Sequence, residues 1–201
     1  MKKKILLGII IFSSIILIVY GAICIKRQID IKNENNEIKK ESKILVVYYS
    51  AQGHTDNVAK QIAKNLNADI FVIEPKDEYT SEELNYSNKD SRVSKEYKDE
   101  SLRNVELKTT EVNNWDSYDT VLIGYPIWWG IAAWPVNTFV TSNDFTNKTV
   151  IPFCTSASSL LGNSGKNLKE LAKTGNWLDG HRFSSSVSET DIKEWTDKIL
   201  K

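Results

Sequence analysis

Three short stretches hold residue types that could do chemistry. Ser50-Ala51-Gln52-Gly53-His54-Thr55 joins an apolar run to an amphipathic pattern. Hydroxyls, a glycine that lets backbone approach a ligand, and a helix N-terminus together make an anion site. No lysine or arginine occurs between Ser50 and Asn57. The G-x-x-x-x-G-K-[ST] loop of triphosphate binders is therefore absent, and a monophosphate held by amides and hydroxyls is the chemistry that fits, with His54 at its border. An ordinary turn capped by Thr55 is the competing reading. The second stretch, Gly124-Tyr125-Pro126-Ile127-Trp128-Trp129-Gly130, places adjacent tryptophans after another apolar run. Large rings there are either core or platforms for a planar ligand, and two successive side chains do not easily enter one core. Trp134 reads as packing, with Pro135 opening a helix. The third stretch is Cys154-Thr155-Ser156-Ala157-Ser158-Ser159. Its small hydroxyl residues allow close backbone approach and offer donors to a heterocycle edge; a flexible serine-rich turn is the alternative.

Other residues point away from chemistry. Cys154 has no neighbouring base to make it a nucleophile and reads as a small core residue. Cys24 lies in a different setting, so a disulfide is not expected. His54 and His181 show no metal-ligand spacing, and His181 reads as a surface residue. With 26 Lys plus Arg against 26 Asp plus Glu, the formal charge is zero. No overall basic excess exists to hold a nucleic-acid backbone. Apolar residues make up 41 % of the chain, enough for one core of ordinary size.

The elements that must position these stretches alternate along residues 43–201. Ile44 to Tyr49 is a continuous β-branched and aromatic run, as expected of a strand buried on both faces of a parallel sheet. Val58, Ile62, Ala63 and Leu66 then fall on one helical face. Further strands fit Ile70 to Ile73, Val121 to Tyr125 and Val150 to Cys154, and a fifth is placed within Arg182 to Val187. Pro152 argues against regular pairing in the fourth. Leu168, Leu171 and Ala172 mark a helix. Ser188 with Asp191 resembles a capping box ahead of Ile192, Trp195 and Ile199. Glu74 to Tyr118 is long and charged, with helical potential around Ser91 to Leu102, and reads as a surface insertion. Strands alternating with helices imply an α/β fold with a parallel sheet covered on both faces. Ligands of such sheets bind beyond the carboxyl ends of the strands, where all three stretches lie.

The first 42 residues differ in kind. Ile5 to Ile25 is 21 residues without a charge, preceded by Lys2, Lys3 and Lys4. As a helix it would extend roughly 30 Å, the thickness of a bilayer's hydrocarbon core. An uncleaved transmembrane anchor over residues 1–25 is expected, in preference to a signal sequence, because the apolar run is long and its small-x-small cleavage signature is poor. Residues 26–42 read as a charged tether. Basic residues occur on both sides of the span; the expectation is that residues 43–201 face outward, with the cytosolic face as the alternative. Residues 1–42 carry 8 basic and 4 acidic groups, and residues 43–201 carry 18 and 22, so the neutral total is a cancellation between regions.

Taken together, the three loops resemble the flavodoxin-like family, in its branch of short proteins with a Tyr-Pro-Ile-Trp-Trp-Gly loop. The resemblance runs from Lys43 to about Ile199 and also takes in Asn176-Trp177-Leu178-Asp179-Gly180. It implies a doubly wound five-stranded parallel sheet in the order 2-1-3-4-5. It also implies FMN as cofactor, with Ser50, Gln52, Gly53, His54 and Thr55 at the phosphate. Pro126, Ile127, Trp128, Trp129 and Gly130 would flank the isoalloxazine ring, and Thr155, Ser156, Ala157, Ser158 and Ser159 would contact its other side. Gln52 stands where the family usually has threonine, Ala157 replaces a common glycine, and the third loop has no tyrosine to stack on the outer flavin face. The implied function is electron transfer at the membrane to a redox partner protein or small donor or acceptor at the flavin edge. The alternatives are an FMN-dependent NAD(P)H:quinone-type oxidoreductase, whose pocket the 74–118 insertion could build, and a flavin-free tethered binding module.

Overall fold

The computed structural model describes residues 21–28 and 43–199. The chain divides into two compact units, residues 1–41 and 42–201. In the first, residues 21–28 are helical and exposed, and the rest of the expected anchor and tether lies outside the described residues. Among the described residues no helix is long and apolar enough to cross a membrane. Cys24 and Cys154 are both free thiols.

The second unit is built on strand β1 (Ile44–Tyr48), which is buried along its whole length, as its continuous apolar run requires. Helix α1 (His54–Leu66) follows, burying Val58, Ile62 and Ala63. Strand β2 (Asp69–Val72) lies at the sheet edge and leaves Ile70 and Val72 exposed. After residues 74–118, which contain helix α2 (Arg92–Lys98), comes β3 (Thr120–Trp128), with β4 (Ile131–Ala132) folded back on it. Helix α3 (Trp134–Ser142) has proline in its first turn, and Trp134 is fully buried. Strand β5 (Thr149–Ser156) and helix α4 (Ser164–Ala172) precede β6 (Asn176–Trp177), β7 (His181–Ser184) and α5 (Glu189–Ile199). In α4, Leu168 and Ala172 are buried but Leu171 is exposed, so only part of the expected stripe faces the core.

The parallel order is β2-β1-β3-β5, with β6 and β7 sharing the fifth position beside β5. That is the expected 2-1-3-4-5 arrangement, with its last strand split. Alternate residues seal the two faces. Val46, Tyr48, Leu122, Ile151 and Phe153 pack with α1 and α5, whereas Leu45, Val47, Val121, Ile123 and Val150 pack with α3 and α4.

The split accommodates Pro152, which sits within β5 in register with Ile123. Val150 O accepts from Leu178 N at 2.9 Å, so the backbone groups of residue 150, and by the period of two those of residue 152, face the fifth position. Between the pairs Val150–Trp177 and Phe153–His181, β5 advances three residues and its neighbour four. The neighbour bulges where proline offers no N–H, so no ladder bond is lost. Gly180 makes the close approach possible: a Cβ there would lie 2.7 Å from Pro152 O. The fifth strand therefore begins earlier than the Arg182 to Val187 window. His181 is also not a plain surface residue. It is half-buried, stacked on Trp195 with ring centroids 5.3 Å apart, and burial pushes its pKa down, aided by Lys198.

Candidate functional site

Strands β1, β3 and β5 end side by side, and the loops leaving them enclose a cavity of about 490 Å³. It is lined by Ser50, Gln52, His54 and Thr55 from the first loop, Pro126, Ile127, Trp128 and Trp129 from the second, and Thr155, Ser156, Ala157, Ser158 and Ser159 from the third. Of the residues expected from sequence, Gly53 and Gly130 do not line it; each sits at positive φ (84° and 82°) and shapes its loop instead. Ala51, Leu84, Tyr86, Val93 and Ser185 also line it.

In the first loop Gly53 is the residue before α1 and donates its N–H to Ser50 Oγ at 3.1 Å. No side chain caps the helix. Its first-turn amides, which have no partner within the helix, are thus directed toward the cavity end of α1, where an anion is favoured. Thr55 is not the cap. Its hydroxyl meets that of Thr155 at 2.8 Å, joining the first and third loops, and both residues are buried. One hydroxyl donates to the other, leaving the acceptor's own hydrogen for a further partner. Asp56 accepts from Tyr48 Oη and from Lys60 Nζ. Burial acts to raise its pKa, but the Lys60 and Tyr48 hydrogen bonds outweigh that and hold the carboxyl below the usual range.

The second loop resolves the paired tryptophans. Ile127 pairs with Ala132 and Trp128 with Ile131, so Trp129 and Gly130 form a two-residue hairpin with φ of 46° and 82°. Positive φ at both positions is the type I′ pattern, which the twist of the flanking strands favours. A tryptophan in that region is strained, by about 1–3 kcal/mol, and persists only where its surroundings hold it. Tyr97 of α2 does so: the two rings stack at 4.6 Å and 9°. Trp128 turns the other way, edge-on to Tyr49, Tyr79 and Trp134 at 5.2–5.7 Å.

The third loop is held by Arg182 of β7, which sequence reasoning missed. Its Nε donates to Ser156 Oγ at 3.0 Å, and its Nη2 to the carbonyls of Ser156 and Ala157 at 2.8 and 3.1 Å. Ser156 Oγ also donates to Ser159 O. These bonds make the segment a braced loop, contrary to the flexible-turn reading. Cys154 beneath it is buried, and burial pushes its thiol pKa up to about 12, consistent with a packing role.

Residues 74–118 form one wall of the site. Glu96, buried in α2, accepts from Arg92 Nε at 2.9 Å and Tyr79 Oη at 2.7 Å, while the Arg92 guanidinium lies 3.9 Å from the Tyr79 ring centroid and donates to Asp77 O. Burial and the Glu96 hydrogen bond push the Tyr79 phenol far above its ordinary pKa. The segment is thus more than a surface insertion. Among the described residues no cluster of His, Cys, Asp or Glu could hold a metal ion. A phosphate at the α1 turn and a flat apolar ring beside the tryptophan loop is the ligand chemistry these walls match.

The flavodoxin family model matches residues 43–199. The chain belongs to the flavodoxin family. Two solved structures share the architecture across nearly their full length. A candidate flavoprotein from Bacteroides eggerthii DSM 20697 is 39 % identical, with a TM-score of 0.71, over 80 % of this chain and 99 % of its own. Another, from Bacteroides uniformis ATCC 8492, is 38 % identical, with a TM-score of 0.72, over 79 % of this chain and 100 % of its own. A Lactobacillus acidophilus NCFM flavoprotein solved with FMN is 19 % identical, with a TM-score of 0.52, over 77 % of this chain and 99 % of its own, a likeness of fold alone. No curated protein matches the chain.

Proposed function

We propose that this flavodoxin-family chain binds FMN and transfers electrons at a membrane. The observation that carries the reading is the convergence of three strand-end loops on one cavity, with an uncapped helix N-terminus at one end and a tryptophan loop along another wall. Bound FMN supplies one- and two-electron redox chemistry. The chain's own residues do the rest. The α1 amides and the Thr55–Thr155 hydroxyl pair hold a phosphate dianion without a neighbouring lysine or arginine in the loop. Trp128, Trp129 and Ile127 line the cavity and would exclude water from the ring and disfavour negative charge beside it. Arg182, bonded to the Ser156 and Ala157 carbonyls, fixes the backbone of the third loop where it would meet the ring.

The uncharged run of residues 5–25 is the proposed membrane anchor, with residues 43–201 on the outer face. A redox partner protein or a small donor or acceptor meets the flavin edge. Titrating the detergent-solubilised full-length chain with FMN tests the cofactor: a shifted, structured visible band and a stoichiometric endpoint are expected. An unchanged free-FMN spectrum would leave a flavin-free binding module as the remaining reading.

One observation favours a second reading, an FMN-dependent NAD(P)H:quinone-type oxidoreductase. Leu84, Tyr86 and Val93 of residues 74–118 line the same cavity and could enclose a second planar substrate. Anaerobic addition of NADH or NADPH separates the two. Rapid bleaching marks the oxidoreductase; reduction only through a partner reductase marks the carrier.

A further inference from the structure

Three tyrosine or tryptophan side chains line the cavity, and two are already engaged. Trp128 is packed edge-on against Tyr49, Tyr79 and Trp134, and Trp129 is stacked on Tyr97. Tyr86 is different. Among the described residues its ring contacts no other ring and its hydroxyl has no hydrogen-bond partner, and the residue is 78 % exposed. Its backbone, by contrast, is fixed. Asn88 N donates to Asn85 O at 3.0 Å across it, Ser87 N donates to Asn85 Oδ1 at 3.1 Å, and Val93 N ties the segment down at Glu83 O at 3.1 Å. A turn so well bonded holds a large, mostly exposed ring at the cavity rim with no other ring against it. The wall made by Thr155–Ser159 carries no aromatic residue, so apart from the His54 imidazole a planar ligand would otherwise meet rings only from the tryptophan loop.

We infer that Tyr86 is a stacking residue for the planar ring of the ligand, contributed by residues 74–118 in place of an aromatic residue in the third loop. The inference rests on the FMN reading above and deepens it. Stacking requires the face of the ring and not the hydroxyl, so phenylalanine serves equally and alanine does not. Because the side chain touches no other ring in the ligand-free chain, its removal costs ligand affinity and not fold stability.

The test is a fluorescence titration of the full-length chain in detergent with FMN and with riboflavin, comparing the parent, Tyr86→Phe and Tyr86→Ala. Tyr86→Ala is expected to raise the Kd about two- to tenfold for both flavins, since stacking acts on the shared ring and not on the phosphate. It should also leave the bound flavin brighter, because an electron-donating phenol that quenches the excited flavin has gone. Tyr86→Phe should match the parent in affinity, since the ring face is kept, while its bound flavin brightens as in Tyr86→Ala, and all three apoproteins should melt together. A Tyr86→Ala chain with the parent's affinity and quenching would overturn the inference while leaving FMN binding intact. So would a loss confined to FMN, or one matched by a fall in apoprotein stability. A parent chain that binds neither flavin would overturn the functional reading and this inference with it.

Discussion

In the sheet, Val46, Leu122 and Ile151 are sealed by other apolar side chains from α1 and α5, and each strand needs only its neighbours' backbone and the layers above and below. Residues 74–118 have little sheet structure: an isolated bridge joins Pro75 and Leu107, and one two-turn helix carries Val93, Ser94 and Glu96 inward. What holds them is a buried carboxylate with its arginine and tyrosine partners, and rings laid on rings. Both regions line one cavity. The sheet supplies a rigid floor whose stability comes from area removed from water, while the segment supplies a wall whose order depends on hydrogen-bond geometry.

Breaking each region separately sharpens the contrast. The largest effect belongs to the sheet. Phe153 is fully buried, lies over Gly124 where a Cβ would come within 2.2 Å of its ring, and packs against Phe183 and Trp195. Phe153→Ala should cost about 3–5 kcal/mol of global stability in urea unfolding, with the whole 43–201 unit losing protection together. Next comes Glu96→Ala, which strands the Tyr79 hydroxyl and a guanidinium that is still 24 % exposed. A cost of about 3 kcal/mol is expected, at the low end for a broken buried pair because solvent reaches the arginine. Hydrogen exchange should rise through residues 74–118 while β1, β3 and β5 stay protected. Uniform loss of protection would show that the two regions are one cooperative unit.

The smallest effect lies at the start of α1. Asp56 has a folded-state pKa below its ordinary value, so its contribution to stability is present above about pH 4, the unfolded aspartate range. It is lost as pH falls through the lower folded-state value. Asp56→Asn should lower the melting temperature modestly at neutral pH, where the carboxylate's contribution is present, and converge with the parent as pH falls through that acid window, flattening the acid limb. An unchanged acid limb would remove the Tyr48 and Lys60 bonds from the account.

This division also explains what could be read in advance. β1, β3 and most of β5 were legible because strands buried on both faces must be continuous in apolar residues, and Ile44 to Tyr48 and Val121 to Tyr125 are. The loop residues followed, since a parallel sheet puts its ligands at the strand ends. Pro152 misled because the rule against proline in a central strand assumes an unbroken neighbour, and here the neighbour bulges at Gly180. Arg182 and Tyr97 reach the site from 26 and more residues away in sequence through contacts that no local period encodes. The one local signal for the segment's role was its aromatic content, Tyr79, Tyr86, Tyr97, Trp115 and Tyr118, unusual for a charged stretch meant only for solvent.

Whether the three loops hold one flavin can be seen in a crystal structure of the chain grown with FMN. The phosphate is expected against the Ser50–Thr55 turn, and the ring between Pro126–Gly130 and Thr155–Ser159 with Tyr86 laid over it. FMN bound at any other surface, or a cavity that excludes it at saturating concentration, would contradict that placement.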